Sequence, residues 1–107
     1  MKEITPNLFI KRMAKQIGNK FRPRQIILFG SHALGKADQN SDIDILVIFS
    51  KEGNLKKRYV DISKEIGYRP FPIDLLVKSS KQIKKRIHLG DSFIEEILTQ
   101  GKVIYES

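Results

Sequence analysis

Ile43 to Phe49 is the longest apolar run in this chain of 107 residues, rich in Ile and Val and far too short to be a packed helix. It reads as a buried strand. Two more interrupted or shorter apolar runs frame it: Gln25 to Phe29, ending at Gly30, and Phe71 to Val77, with Pro70 and Pro72 at its entry where a missing N–H does least harm. Segments with helical spacing separate these runs. Thr5-Pro6 suits an N-cap followed by proline in the first turn, after which Phe9, Met13 and Ile17 recur every fourth residue up to a stop at Gly18. Asn54 can cap a second helix whose Leu55, Tyr59, Ile62 and Ile66 share a face, closed by Gly67.

Ser79 or Ser80 opens a basic helix through Lys85. Ser92-x-x-Glu95 has the form of a capping box before Ile94, Ile97 and Leu98, stopped by Gly101, and Val103 to Tyr105 can form a short last strand. The expectation is an α/β domain over residues 1–107, with helices packed on a small mixed sheet.

Composition limits what such a domain can do. With no cysteine, disulfides, thiolate metal sites and cysteine nucleophiles are excluded. No run approaches the roughly 20 apolar residues that span a bilayer. Lys2, Glu3 and Lys11 interrupt any signal-peptide core, so a cytoplasmic protein without a membrane role is expected. A net charge of +8 favours anionic partners, whether nucleotide phosphates, nucleic acid or an acidic protein surface. Fourteen of the twenty basic residues are lysines scattered along the chain, and arginine-rich arms and interleaved surface aromatics are missing, so nucleic acid is possible but not favoured.

The chemistry concentrates between Phe29 and Asp44. Asp42 and Asp44 are two apart at the start of a strand, so both carboxylates point to one side, about 6.5–7 Å apart at Cα. Such a pair repels itself unless a cation intervenes, and hard ions such as Mg²⁺ prefer oxygen ligands. Asp74 places a third charge inside the Phe71–Val77 run, where an unpaired buried carboxylate is costly. If the two strands are aligned neighbours, three carboxylates meet on one face, enough for two ions in phosphoryl chemistry. Gly30-Ser31 lies directly after a buried strand, where backbone can approach a ligand and free N–H groups attract phosphate. Each feature alone has an ordinary use: aspartate caps turns, and serine after glycine caps helices.

Together they resemble a known family. Gly30-Ser31, ten residues, then Asp42-x-Asp44 is similar to the Gly-Ser-x10-Asp-x-Asp signature of the DNA polymerase β nucleotidyltransferase superfamily. In detail FGSHALGKADQNSDIDILV resembles the minimal nucleotidyltransferases, the MNT proteins, and the likeness extends to FPIDLLV and the closing FIEEILTQGKVIY. The resemblance implies transfer of a nucleoside monophosphate, usually from ATP, to an acceptor hydroxyl with release of pyrophosphate. Gly30 and Ser31 would hold the triphosphate, Asp42 and Asp44 the Mg²⁺ ions, and Asp74 would complete the metal site and activate the acceptor. Many relatives carry arginine where this chain has His32 and Leu34. Lys36 can supply charge to the triphosphate instead.

MNT proteins typically pair with a helical HEPN protein, an RNase toxin. The resemblance therefore implies an antitoxin that adenylylates a toxin tyrosine. With no room for an acceptor-gripping domain, the acceptor must come from another molecule or a second copy of this chain, so a homo-oligomer is possible. A domain that neutralises its partner by contact alone is the main alternative. His88 reads as a helix-end surface histidine rather than a catalytic base.

Overall fold

In the computed structural model, residues 4–38 and 40–107 are described, and the segment holding Lys2 and Glu3 lies outside them. The elements run α1 (Pro6–Phe21), β1 (Gln25–Phe29), β2 (Ile43–Phe49), α2 (Leu55–Ile66), β3 (Ile73–Ser79), α3 (Ser80–His88), α4 (Ser92–Gln100) and β4 (Lys102–Glu106). The strands form one sheet in the order β3-β2-β1-β4. β1 pairs antiparallel with both β2 and β4, whereas β2 and β3 are parallel. The mixed sheet expected from the sequence is therefore present.

The two faces of the sheet are covered by different helices. Ile26, Leu28, Ile43, Ile45, Val47 and Leu75 point towards α1 and α2, where Met13, Ile17, Ile62 and Ile66 meet them. Ile27, Leu46 and Ile48 point the other way, against Ile83 of α3 and Ile94 and Ile97 of α4. A strand with both faces covered has no polar side to alternate with, which is why β2 is apolar almost throughout. Ile17, Ile26, Ile43, Ile45, Leu46, Val47 and Ile62 are fully buried. Each contributes about 1.5–3 kcal/mol of transfer free energy.

Several boundaries differ from the sequence reading, each for a local reason. Helix α1 continues through Gly18 to a left-handed cap at Arg22, and Gly18 serves packing rather than termination, since the ring of Tyr105 on β4 lies where its Cβ would stand. Strand β3 begins at Ile73 rather than Phe71 and runs to Ser79, with Pro72 contributing only its carbonyl to the Ile43 amide at 2.8 Å. Ser79, fully buried, then ends the strand and caps α3 in a reciprocal capping box with Gln82. Helix α3 extends past Lys85 to His88, which is exposed at its C-terminal end. The cap of α4 is Asp91 rather than Ser92. Its carboxylate accepts from the Phe93 and Ile94 amides at 3.0 and 3.1 Å, so the Ser92–Glu95 box does not form. In α2, Ile62 and Ile66 are buried but Tyr59 is exposed. Among the described residues, no helix is long and apolar enough to cross a membrane.

Candidate active site

The end of β1 and the start of β2 lie side by side, with Phe29 opposite Asp44 in the antiparallel register. Side-chain alternation then settles direction. Asp44 follows the parity of Leu46 and Ile48 and therefore faces the α3/α4 side of the sheet. In the parallel register between β2 and β3, Asp44 stands opposite Asp74. Neighbouring strands lie about 4.8 Å apart, so the two residues share that face and a common level along the sheet. Leu76, two residues on from Asp74, packs against the same α3/α4 cluster. Asp42, just outside β2, extends the alternation and is exposed.

Asp44 senses the charges of both other carboxylates. The Asp44 carboxyl is held above its ordinary value, first by burial, then by the charges of Asp74 and Asp42, while His32 pulls it down. A half-buried acid flanked by two others is the arrangement a divalent cation relieves. Hard carboxylate oxygens are also the donor set that Mg²⁺ prefers. Among the described residues, no three His, Cys, Asp or Glu side chains are gathered around one metal-sized point. The carboxylates thus share a face and a field without forming a closed cage.

Gly30 joins the two halves of the site. Its φ is +74°, a left-handed conformation that glycine enters without steric cost, and a Cβ there would collide with the Asp44 carboxylate. Only glycine lets the turn after β1 lie directly against this acid. The chain then winds into a helical turn, as the sequence suggested. The Ala33 and Leu34 amides donate to the Gly30 carbonyl at 3.1 and 3.2 Å, and the Lys36 amide donates to the Ser31 carbonyl at 3.0 Å. Ser31 and His32 sit half-buried at the start of this turn, beside Asp44. A first turn of this kind leaves its leading N–H groups pointing outward, suited to a phosphate. The His32 ring lies with Nε2 3.3 Å from the Ser41 carbonyl, tying the turn to the segment that leads into Asp42. Lys36 is exposed at the end of the turn.

One wall of the site was not visible in the sequence. A cavity of about 200 Å³ opens beside Gly30, Leu34 and Asp44, and its far side is α4, through Phe93, Glu96 and Gln100. Spaced by three and four residues, those side chains share one stripe of α4, while Ile94 and Ile97 point into the core. In the sequence they look like an ordinary solvent face. Only the return of α4 across the sheet brings them to the aspartates.

Comparison with known proteins agrees with the geometry. The nucleotidyltransferase domain family matches residues 10–104. A Methanocaldococcus jannaschii protein described as a protein adenylyltransferase is 34% identical over 100 residues, spanning 90% of this chain and 94% of its own. The protein adenylyltransferase MntA of Thermococcus cleftensis is 36% identical over 70 residues, 62% of this chain and 67% of its own. Two solved structures share the fold. One, from Sulfolobus solfataricus and described as a nucleotidyltransferase, has a TM-score of 0.63 at 24% identity, covering 92% of this chain and 78% of that one. The other, a toxin–antitoxin structure with AMP-PNP, has a TM-score of 0.62 at 22% identity, covering 91% and 73%. The carboxylate face, the glycine turn and these similarities together place the chain in the nucleotidyltransferase domain family, as an enzyme of the minimal, MNT type.

Proposed function

We propose that this chain transfers AMP from ATP, in the presence of Mg²⁺, to a hydroxyl of a partner protein, a tyrosine of a HEPN RNase toxin, and thereby acts as its antitoxin. The observation that carries the reading is the juxtaposition of Asp44 with Asp74, joined by Asp42, beside the Gly30 turn. The protein adenylyltransferase names of the relatives and the AMP-PNP in a structurally similar toxin–antitoxin structure support the nucleotide, the acceptor class and the partner.

In this reading, the Ser31 hydroxyl and the leading amides of the turn, ahead of those bonded to the Gly30 and Ser31 carbonyls, hold the β- and γ-phosphates, and Lys36 adds a positive charge. Asp42, Asp44 and Asp74 would hold Mg²⁺, which when bound neutralises phosphate charge and lowers the barrier to in-line displacement. Asp74, on the outer strand, receives the proton of the attacking hydroxyl. The acceptor oxygen forms a bond to the α-phosphorus as the bond to the β-phosphate oxygen breaks, and pyrophosphate leaves on the Gly30 side. The net reaction is protein–OH plus ATP to protein–O–AMP plus pyrophosphate. Tyrosine suits the site because its phenol is more acidic than an alkyl hydroxyl and would lose its proton more readily beside a bound cation.

The test is to incubate the protein with each α-labelled NTP in turn, Mg²⁺ and the protein encoded beside it, then follow label onto the partner. Asp42→Asn, Asp44→Asn and Asp74→Asn are each expected to lower transfer more than the roughly 10–100-fold typical of residues that only orient metal ligands. Absence of label with every nucleotide, from a folded protein that still silences its partner, would replace this reading with neutralisation by contact.

A further inference from the structure

We propose that the cleft between the glycine turn and α4 is the seat of the nucleobase. In it an adenine ring lies against Phe93 and Leu34, and Glu96 and Gln100 read its edge. The inference rests on the nucleotidyltransferase reading and deepens it by assigning residues that the Gly-Ser and aspartate motifs leave unused.

Size comes first. Whole-ligand clefts run from roughly 300 to 1,000 Å³, so a cavity of about 200 Å³ matches one ring system rather than a complete nucleotide. Its walls favour a flat apolar group. Phe93 is 52% exposed and Leu34 47% exposed, an unusual pair to leave in water beside a charged centre. Phe29 holds the Phe93 ring edge-on at 5.9 Å, which fixes its orientation while half its surface stays open for stacking.

The polar groups choose the kind of ring. A carboxylate only accepts, so Glu96 requires a donor such as an exocyclic amine. Gln100 both donates and accepts, and can serve the ring nitrogen beside that amine. The adenine edge presents that donor–acceptor pair, whereas guanine turns a carbonyl oxygen where the amine would be. Glu96 also argues against phosphate in this cleft, since two anions would be pressed together.

Position separates the nucleotide from the acceptor. The cleft touches Gly30 and Asp44, whereas Asp74 stands on β3, with β2 between it and β1. A ring beside the phosphate-holding turn belongs to the nucleotide, and the acceptor enters from the Asp74 side. The wall is also closely packed: a Cβ on Gly101, which ends α4, would collide with Ile27 and crowd the Leu28 carbonyl of β1, so the helix end lies directly against the strand leading into Gly30.

The experiment compares binding of Mg·ATP with binding of inorganic tripolyphosphate, which has the phosphates and no ring, by calorimetry on the intact chain. Phe93→Ala should weaken ATP binding about tenfold, within the range for loss of a base–aromatic stack, and change tripolyphosphate binding less than about twofold. Glu96→Gln should narrow the preference for ATP over GTP about fivefold. Both side chains are exposed, so the variants should fold, which melting curves check. Equal weakening of ATP and tripolyphosphate would mean that α4 acts only on the shape of the site, and the proposal would be overturned. Unchanged ATP binding with loss of transfer to the partner would also overturn it, by assigning the cleft to the acceptor ring. A wild-type protein that binds neither ligand would instead undo the nucleotidyltransferase reading itself.

Discussion

Asp44 and Asp74 face each other across the parallel pairing of β2 and β3, at the same level of the sheet and on the same side. Parallel register is what permits this. A slip of one residue would turn the Asp74 side chain to the α1/α2 face, among Ile43 and Ile45 of β2, where a charge has no partner. The fully apolar α1/α2 face of β2 therefore protects the placement of the carboxylates on the opposite face.

The same closeness has a thermodynamic consequence. Burial and the charges of Asp74 and Asp42 raise the Asp44 carboxyl above the ordinary aspartate value of 3.8, so the folded protein binds that proton more tightly than the unfolded chain. Between the ordinary value and the raised one, stability falls as pH rises, and above that window the folded state carries a constant penalty. Asp44→Asn removes the penalty. In the presence of EDTA it should raise the melting temperature at pH 7, with the gain vanishing near pH 3, where the native carboxyl is protonated. Thermal unfolding of both proteins across that range measures it. A variant less stable than the native protein at pH 7 would contradict the repulsion.

Gly30→Ala attacks the site from the other side. The substitution places a side chain in a left-handed conformation, at roughly 1–2 kcal/mol, and drives a methyl group into the Asp44 carboxylate. The expected result is a folded protein whose stability falls by about that amount and whose transfer activity drops at least roughly 100-fold, as a displacement near 1 Å can cost. Chemical denaturation together with label transfer reads both. A variant that loses stability but keeps its turnover would show that the turn can move without disturbing Asp44.

Much of the fold, and the centre of the candidate site, is legible in the sequence alone. The runs at β1 and β2 declare themselves because burial on both faces demands unbroken apolar sequence, and an aspartate inside such a run needs a reason. The Gly-Ser and Asp-x-Asp spacing carries the site because one glycine turn and one strand end create it locally. What stays hidden is what folding brings in from elsewhere. Gly18 looks like a helix stop until Tyr105 is seen to need its missing side chain. Asp91 outcompetes Ser92 as a cap because its carboxylate reaches two amides at once. Phe93, Glu96 and Gln100 have the pattern of a solvated face, and only the path of α4 across the sheet turns that face into a wall.

Ile62 tests how the core supports the site at a distance. It is fully buried on α2, in the cluster that includes Leu75, the residue next to Asp74. Ile62→Ala should cost about 2–5 kcal/mol, as large-to-small changes in tight cores do. Urea unfolding measures this. Ile62→Val should cost only about 0.5–1.5 kcal/mol and leave transfer activity unchanged, because the contact beneath β3 is kept. Loss of activity in the Val variant at full folding would mean that the level of Asp74 depends on more than α2 packing.

His32 stands in the turn after Gly30, its ring 3.3 Å from the Ser41 carbonyl, and favours the ionised form of Asp44. A guanidinium there would add a permanent charge and a fork of donors beside the turn that receives phosphates. His32→Arg is therefore expected to tighten Mg·ATP and tripolyphosphate alike by roughly fivefold, equivalent to about 1 kcal/mol, since the gain concerns phosphate and not the base. The gain should shrink as salt is raised, because a partly exposed charge pair is screened. It should also pull the Asp44 carboxyl down, so the stability lost to its ionisation becomes smaller in the variant. Binding isotherms at low and high salt, with melting curves against pH, test both consequences of the one added charge. A variant that tightens ATP and leaves tripolyphosphate unchanged would place His32 beside the nucleoside instead of the phosphates.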